Sequence, residues 1–255
     1  MEIKSRLCPL APKTIICAHR GLDDSAPENT LAAFEAALKR GMAIEFDVQM
    51  TMDEQLVIMH DETVNRTTDG SGRVSQLSLA HLKALDAGGW FGSQFAGQRV
   101  PTFDEALEVV RSHAQVSPSI ALDVKKLSPG IINLICDTIQ KHRLIEDVIG
   151  IGAIIRTIDV RRQFCEVLSE FQCAAVAETR DDLDTALSDI YSKWVYARFV
   201  PTAEDVQLIN QAGKRLFVSG DEVSQDVNRA HDAYRAGPDM LLTWHPSRLA
   251  ELVGA

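Results

Sequence analysis

Two carboxylates lie two residues apart in an otherwise apolar run, Ala43-Ile-Glu-Phe-Asp-Val48. Because side chains alternate across a β-strand, Glu45 and Asp47 would point to the same side of that strand. Neighbouring carboxylates repel each other and lose hydration on burial, and a divalent cation offsets both costs because it prefers carboxylate oxygen. On this segment alone, a metal site and a solvated edge strand with outward-facing acids both remain open.

Ionisable residues also stand at the ends of other apolar segments. They are His19-Arg20, His60-Asp61, Asp123-Val-Lys125 and Thr243-Trp-His245. Taken singly, a histidine after a strand is usually structural, and an Asp/Lys pair is usually a salt bridge. Several such ends in one chain favour an active site, because the catalytic residues of (β/α)8 barrels come from the ends of several strands.

The chemistry that fits these residues is metal-assisted attack on a phosphate ester. Glu45, Asp47 and Asp123 would hold one Mg²⁺ or Ca²⁺, with Mn²⁺ as a further candidate, and leave coordination sites for phosphate oxygens. Arg20 and Lys125 would donate charge-assisted hydrogen bonds to the same oxygens. The expected partner is therefore a small-molecule phosphodiester.

Two histidines, His19 and His60, would carry the proton transfers of this reaction. One would act as a base toward the nucleophile, and the other as an acid toward the leaving alkoxide. Histidine suits both roles because its pKa lies near neutrality.

The elements that must position these residues follow a βα rhythm. The predicted strands are residues 14–18, 43–48, 119–124, 148–153, 173–177, 194–197, 215–219 and 240–243. The predicted helices between them include residues 30–40, 103–113, 130–142, 158–171, 203–211 and 224–235. Near-continuous apolar strands separated by helices indicate a parallel sheet, and eight such units favour a closed (β/α)8 TIM barrel. A doubly wound open sheet is the alternative, but no GxGxxG motif follows the first strand.

One long interval, residues 49–118, interrupts this rhythm after the second strand. It contains a short strand-like segment at residues 56–59 and a polar, glycine-rich stretch at 67–72. Insertions at this position project from the face of a barrel that carries the active site. Trp90 and Phe91 are therefore candidate pocket residues, although packing within the insertion explains them equally well. We predict one domain, residues 1–255, with an inserted subdomain at 49–118.

Composition narrows the class of partner. The chain has 255 residues, of which 45% are hydrophobic, and a net charge of −10 that disfavours nucleic acid and anionic membranes. Its five cysteines form no CxxC pair, which favours reduced thiols: Cys8, Cys17, Cys136, Cys165 and Cys173. The N-terminal residues include no long apolar run, so we expect a cytoplasmic protein without a secretory signal or transmembrane helix.

An ordered set of motifs resembles the glycerophosphodiester phosphodiesterase family. These motifs are Ala18-His-Arg-Gly21, Pro27-Glu-Asn-Thr30, Ile44-Glu-Phe-Asp-Val48, His60-Asp-Glu-Thr-Val-Asn-Arg-Thr-Thr-Asp-Gly-Ser-Gly72 and Val100-Pro-Thr-Phe-Asp-Glu-Ala-Leu107. The resemblance implies a TIM barrel and a divalent-metal phosphodiesterase, with His19 and His60 as the acid/base pair and Glu45 and Asp47 as metal ligands. Family members typically cleave a glycerophosphodiester to glycerol 3-phosphate and an alcohol. The glycerol 2-hydroxyl attacks first, and water then opens the resulting cyclic phosphate.

Three strings depart from the family pattern. Asp123 stands where the family usually has Glu, Leu216-Phe-Val-Ser-Gly220 replaces Trp-Thr-Val-Asn, and Trp244 replaces the Asp of Thr-Asp-x-Pro. These changes lie where the leaving alcohol would sit, so a sugar phosphodiester such as an opine-type compound is a candidate substrate. Arg156, Arg198 and Trp244 are candidate pocket residues, with surface salt bridges as the alternative for the two arginines.

Two other functions fit the same residues. The first is a phospholipase D-like lyase that stops at the cyclic phosphate, because Asp at position 123 also occurs in the related sphingomyelinase D group. That group is not expected to carry the long insertion with His60 and Asp61. The second is a non-catalytic barrel that binds a phosphorylated metabolite, which the presence of both histidines and Lys125 disfavours.

Overall fold

The computed structural model of the chain describes residues 14–22 and 24–255. Within these residues the strands are β1 Ile15–Ala18, β2 Ala43–Met50, β3 Leu56–Ile58, β4 Ile120–Val124, β5 Val148–Ile151, β6 Gln172–Ala177, β7 Ser192–Ala197, β8 Arg215–Val218 and β9 Met240–Thr243. Cys8 and the N-terminal segment, on which the targeting prediction depends, lie outside the described residues.

Eight of these described strands run parallel and close into a barrel in the order β1-β9-β8-β7-β6-β5-β4-β2. Pairing of β1 with β2 at Cys17↔Ala43 and Ala18↔Ile44 completes the ring. This closure confirms the predicted (β/α)8 TIM barrel and excludes a doubly wound sheet, whose two edge strands stay unpaired. The short β3 pairs antiparallel with the C-terminal half of β2.

The helices agree with most of the predicted bounds. They are α1 Leu31–Leu38, α2 Leu79–Ala84, α3 Phe103–His113, α4 Ile131–His142, α5 Gly152–Ile155, α6 Ile158–Val167, α7 Leu183–Ser188, α8 Ala203–Gln211, α9 Asp221–Ser224, α10 Val227–Arg235 and α11 Pro246–Val253. The predicted strand at 148–153 ends at Ile151, because Gly152 turns into α5 with a left-handed φ of 87°. The predicted helix at 224–235 begins later, at Val227, because the Asp226 side chain caps the N-terminus of α10.

Side-chain caps set several helix starts. Thr30 accepts a hydrogen bond from the Ala33 amide at 3.3 Å and so begins α1 directly after the Pro27-Glu-Asn motif. Thr102 and Thr202 form capping boxes with Glu105 and Asp205 at the starts of α3 and α8. These local interactions explain why α3 and α8 have the predicted bounds.

The barrel interior is filled by inward-facing side chains from its strands. A buried cluster there contains Cys17, Ala43, Ala121, Ile149, Ile151, Ala174, Trp194, Tyr196, Phe217, Met240 and Leu242. Ala43, Glu45 and Asp47 share one face of β2 because strand side chains have a period of two. Glu45 and Asp47 therefore face the barrel interior, beyond the apolar cluster and closer to the carboxyl ends of the strands.

Part of the interval between β2 and β4 has a small apolar core of its own. That core consists of Val57, Met59, Val64, Val74, Leu82, Ala87 and Val100. Helix α3, at the end of the interval, contacts α1 and α4 in the outer ring of the barrel. This small core thus lies in residues 57–100, within the predicted inserted subdomain at 49–118. Across the described helices, no segment has the length and apolar character that a bilayer crossing requires.

Candidate active site

Three carboxylates meet at the carboxyl end of two neighbouring strands. Strands β2 and β4 are parallel, and their register sets Asp47 directly opposite Asp123. Carboxylate oxygens of Glu45, Asp47 and Asp123 lie within 4.8 Å of one another, and Glu45 and Asp47 are buried. The three residues thus come together as predicted, and the strand register is the reason.

Burial and mutual repulsion set the protonation of this cluster. Burial, and next the charge of Asp47, raise the pKa of Glu45 well above its ordinary value. Burial also raises the pKa of Asp123, against the opposing charge of Lys125. For Asp47 the desolvation on burial is outweighed by the charges of Lys125 and Arg20, so its pKa is lowered.

Lys125 bridges two of these acids. Its Nζ lies 2.6 Å from Asp123 Oδ2 and 2.8 Å from Asp47 Oδ1. Burial would lower the pKa of Lys125, but the charges of Asp47 and Asp123 outweigh it, so the amine is held protonated. The cluster thus contains three acidic groups within 4.8 Å of one another and one cation that pairs with two of them.

The donor set fits a hard divalent cation. Among the described residues, Asp47 Oδ1 is a buried oxygen without a well-formed hydrogen bond, although Lys125 lies close to it. Clustered carboxylate oxygens are the ligands that Mg²⁺ and Ca²⁺ prefer, so a cation would join Lys125 as a partner of this oxygen. Asp123 reaches the cluster despite its shorter side chain, and its carboxylate lies against the Cα of Gly152, where a Cβ would overlap it.

A tight turn after β1 places His19 and Arg20 beside the acids. Arg20 and Gly21 both have left-handed backbone conformations, with φ of 53° and 86°. A Cβ on Gly21 would lie 2.8 Å from Ala33, so glycine is needed where the turn approaches α1. In this conformation the Arg20 amide donates a hydrogen bond to Glu45 Oε2 at 2.9 Å.

His19 is stacked on Trp244. Strand β1 pairs with β9 through Ala18↔Thr243, so the residues that follow the two strands become neighbours. The two rings lie 4.7 Å apart between centroids and are tilted by 8°. Trp244, which stands where the family has Asp, thereby supplies a flat wall beside His19.

The motif Pro27-Glu-Asn-Thr30 supports the same acids and bases from the loop before α1. Asn29 Nδ2 donates a hydrogen bond to Asp47 Oδ2 at 2.7 Å. Arg20 Nη1 donates to Glu28 Oε1 at 2.8 Å. The roles of Glu28 and Asn29 were not predicted from the sequence, although both residues belong to the Pro27-Glu-Asn-Thr30 motif that resembles the family.

His60 follows β3 and is held by a residue of β2. Gln49 Nε2 donates hydrogen bonds to the carbonyl oxygens of Met59 at 2.8 Å and of Asp61 at 2.7 Å, the residues on either side of His60. His60 Nδ1 and Asp61 Oδ1 are 2.8 Å apart. Gln49 was not among the predicted site residues, although the period of two along β2 relates it to Glu45 and Asp47.

One cavity of about 290 Å³ lies at the mouth of the barrel. Its lining includes all the residues predicted for proton transfer, phosphate binding and metal binding, namely His19, His60, Arg20, Lys125, Glu45, Asp47 and Asp123, as well as Arg198 and Trp244. The opposite wall carries polar side chains that we did not predict, including Tyr196, Ser219 and Ser224.

The remaining candidate pocket residues lie elsewhere. Trp90 is 45% exposed and packs edge-on against Phe91, which in turn packs against Phe95. Arg156 forms an ion pair with Glu178. None of these residues is part of the cavity lining, so packing within the insertion and a surface salt bridge describe their observed contacts.

The cavity brings together acids that fit a cation and basic groups that fit a phosphate diester. With the barrel around it, this site places the chain in the class of TIM-barrel phosphodiesterases. The model of the glycerophosphoryl diester phosphodiesterase family matches residues 19–246. The chain belongs to this family and is a phosphoric diester hydrolase.

Individual relatives agree with this assignment. A glycerophosphodiester phosphodiesterase of Caldanaerobacter subterraneus is 33% identical over 249 residues, which cover 94% of this chain and 98% of the relative. A glycerophosphodiester phosphodiesterase of Agrobacterium tumefaciens superimposes with a TM-score of 0.77 at 26% identity, over 93% of this chain and 99% of that one. A phosphodiesterase of Oleispira antarctica, solved with the product sn-glycerol-3-phosphate, superimposes with a TM-score of 0.79 at 24% identity, over 94% and 97% of the two chains.

Proposed function

We propose that this protein hydrolyses glycerophosphodiesters to sn-glycerol 3-phosphate and an alcohol, with two histidines as acid and base and with a divalent metal on three carboxylates. The observation that supports this most is the convergence of His19, His60, Glu45, Asp47 and Asp123 on one cavity. The product complex of the Oleispira relative, which has the same fold, is consistent with a glycerol phosphate site.

The reaction proceeds in two steps on this proposal. One histidine removes the proton of the glycerol 2-hydroxyl, whose oxygen forms a new bond to phosphorus. The bond from phosphorus to the alcohol oxygen breaks, and the other histidine protonates that oxygen. A water molecule then opens the cyclic phosphate with the two histidines in exchanged roles, so the substrate supplies its own first nucleophile.

Other residues of the chain hold the phosphate group for these steps. A divalent ion on Glu45, Asp47 and Asp123 would neutralise charge on the phosphate. Arg20 and Lys125 line the same cavity and would donate charge-assisted hydrogen bonds to phosphate oxygens. Their positive charges are already next to the carboxylates, so both are in place for an anion that binds at the cluster.

The opposite wall of the cavity favours a hydroxyl-rich leaving group. Tyr196, Ser219 and Ser224 bring hydroxyl groups to this wall, and the two serine oxygens are 3.3 Å apart. Arg198 adds a guanidinium that lies 3.2 Å from Glu178. These donors and acceptors suit a polyol or sugar better than an apolar chain, which supports a sugar phosphodiester among the substrates.

The test is a substrate panel with defined metals and with phosphorus NMR of the products. Glycerophosphodiesters and sugar phosphodiesters are incubated with Mg²⁺, Ca²⁺ or Mn²⁺, and a phosphomonoester is the expected product. Hydrolysis that persists in excess EDTA would rule out the metal dependence. A cyclic phosphate that accumulates and is not opened would identify a lyase instead.

The histidines are tested by substitution. His19→Ala and His60→Ala are each expected to lower kcat by about 10²–10⁴-fold, the usual contribution of general acid–base catalysis. His81→Ala is the control, because His81 is exposed on α2 and does not line the cavity. Normal turnover by either active-site variant would contradict the two-histidine scheme.

A further inference from the structure

We propose that Arg66 is a positioning residue that ties the phosphate-binding side of the site to the acid/base side. The inference rests on the proposed roles of Arg20 and His60. Arg66 lies in the insertion, six residues after His60, and is not part of the cavity lining. It therefore acts through other residues, and its contacts show which ones.

The first set of contacts holds the partner of His60. Arg66 Nε lies 2.8 Å from Asp61 Oδ2, and Arg66 Nη2 lies 2.9 Å from Asp61 Oδ1. This is a two-point guanidinium–carboxylate pair, which restricts the orientation of the carboxylate. The same Asp61 Oδ1 is 2.8 Å from His60 Nδ1, so the orientation of the imidazole depends on the orientation of Asp61.

The second set of contacts holds the partner of Arg20. Arg66 Nη1 donates to Glu28 Oε2 at 2.7 Å, and Arg66 Nη2 donates to Glu28 Oε1 at 2.9 Å. Glu28 Oε1 also accepts a hydrogen bond from Arg20 Nη1 at 2.8 Å. One guanidinium thus completes a continuous chain of contacts from His60 through Asp61 and Glu28 to Arg20.

The two carboxylates that Arg66 joins, Glu28 and Asp61, come from separate parts of the fold. Glu28 belongs to the loop between β1 and α1, whereas Asp61 follows β3 in the insertion. Arg66 uses both edges of its planar donor group, one for each carboxylate. A lysine offers a single ammonium and cannot make two two-point pairs at once, so the chemistry of this link requires arginine.

A purely structural role predicts a different outcome from a positioning role. The Arg66 side chain is 45% exposed, and ion pairs open to solvent contribute little to the free energy of unfolding. Catalysis is more sensitive, because a displacement of a reacting group by about 1 Å costs on the order of 100-fold in rate. Loss of Arg66 should therefore impair turnover much more than it lowers the melting temperature.

The matched control for Arg66 is Arg73. Arg73 also lies in the insertion and pairs with one carboxylate, since its Nη1 is 2.6 Å from Glu62 Oε2. Its side chain is 57% exposed, and it is not part of the active-site cavity. Arg66→Met and Arg73→Met remove the same charge from the same part of the fold, but only the first breaks the link.

The experiment compares kcat, KM and melting temperature of these variants with a hydrolysed glycerophosphodiester and saturating metal. Arg66→Met is expected to lower kcat/KM by about 10–100-fold, with kcat reduced through His60 and KM raised through Arg20. Arg66→Lys should recover only part of this loss. Arg73→Met should match the wild type in both constants, and the melting temperatures of the two Met variants should agree.

Double variants test the link itself. Glu28→Gln should act mainly on KM, and Asp61→Asn mainly on kcat. Arg66→Met combined with either one should lose less than the product of the two single losses, because the chain of contacts is already broken. Full multiplicativity of the losses would contradict the link.

Failure of this inference is separate from failure of the proposed function. If His60→Ala is inactive and Arg66→Met keeps wild-type kcat and KM, the positioning role of Arg66 is wrong and the catalytic scheme stands. A loss in Arg66→Met that follows its unfolded fraction, with normal constants for the folded enzyme, would also overturn the positioning role. Full activity of His60→Ala would instead overturn the scheme on which the inference depends.

Discussion

At the scale of single residues, the third acid of the cluster depends on a glycine that the sequence did not single out. Asp123 is one methylene shorter than the glutamate usual in the family, and its carboxylate occupies the space where a Cβ on Gly152 would be. Gly152 also has a left-handed φ of 87°. The backbone at this position thus leaves room for the Asp123 carboxylate.

Gly152→Ala is expected to displace Asp123 and weaken the binding of Mg²⁺ or Ca²⁺ by about 10–100-fold, as the loss of a supporting group around a metal typically does. The measurement is a calorimetric metal titration. Gly237→Ala is the control, because Gly237 has a similar φ of 80° but no atom within 4 Å of the added Cβ. Equal metal affinity in both variants would show that Asp123 does not depend on Gly152.

At the scale of elements, local signals in the sequence set the bounds of the long helices more firmly than those of the short ones. Thr102 and Glu105 exchange hydrogen bonds across the first turn of α3, with Thr102 Oγ1 accepting from the Glu105 amide at 3.1 Å. This capping box lies in the sequence itself, so the bounds of α3 were predictable. Helices α2, α5, α7 and α9 have four to six residues each, too few to show a helical period, and were not predicted.

Thr102→Ala should lower the free energy of unfolding by about 1 kcal/mol, because it removes the acceptor at the start of α3. Thr138→Ala is the comparison, since Thr138 lies inside α4 and its hydroxyl only donates to the Leu134 carbonyl at 2.6 Å. A change within about 0.5 kcal/mol is expected there. Denaturant unfolding followed by circular dichroism measures both, and equal losses would argue against the cap.

At the scale of the whole molecule, the pairing of β2 with β4 would link the proposed metal binding to stability. Glu45 and Asp123 reach each other only because β2 and β4 are neighbours in the ring, so the unfolded chain has no such cluster. A ligand that binds only the folded state stabilises it, by about 2.7 kcal/mol at a concentration 100 times its Kd. Mg²⁺ or Ca²⁺ should therefore raise the melting temperature, and Asp47→Asn should reduce that rise.

The same linkage predicts a pH dependence in the absence of metal. Because the pKa of Glu45 is raised in the folded state from its ordinary value of 4.5, the folded protein holds a proton that the unfolded chain has released. Stability in EDTA should then fall as pH rises from about 4.5 through the raised pKa. A bound cation replaces that proton, so its stabilising effect should grow over the same range.

Melting temperatures from pH 5 to 8, in EDTA and in excess Mg²⁺, measure this effect in the wild type and in Glu45→Gln, which lacks the titrating group. A difference between the two conditions that is the same at every pH would contradict the predicted linkage.

The sequence by itself determined the kind of fold and the kind of chemistry. Period-two placement of Glu45 and Asp47, the βα rhythm and the ionisable strand ends are local patterns, and each was readable without a structure. They predicted the barrel and grouped the acids, histidines and cations that line one cavity in the structure.

Only the tertiary structure decided which side chains meet. The pairing of Asp47 with Asp123, the stacking of His19 on Trp244 and the double contact of Arg66 join residues that are far apart in the chain. Such contacts depend on strand register and on closure of the ring, which no local pattern encodes. For the same reason the sequence left open whether Trp90 and Phe91 line the pocket, and in the structure they pack against each other outside the cavity lining.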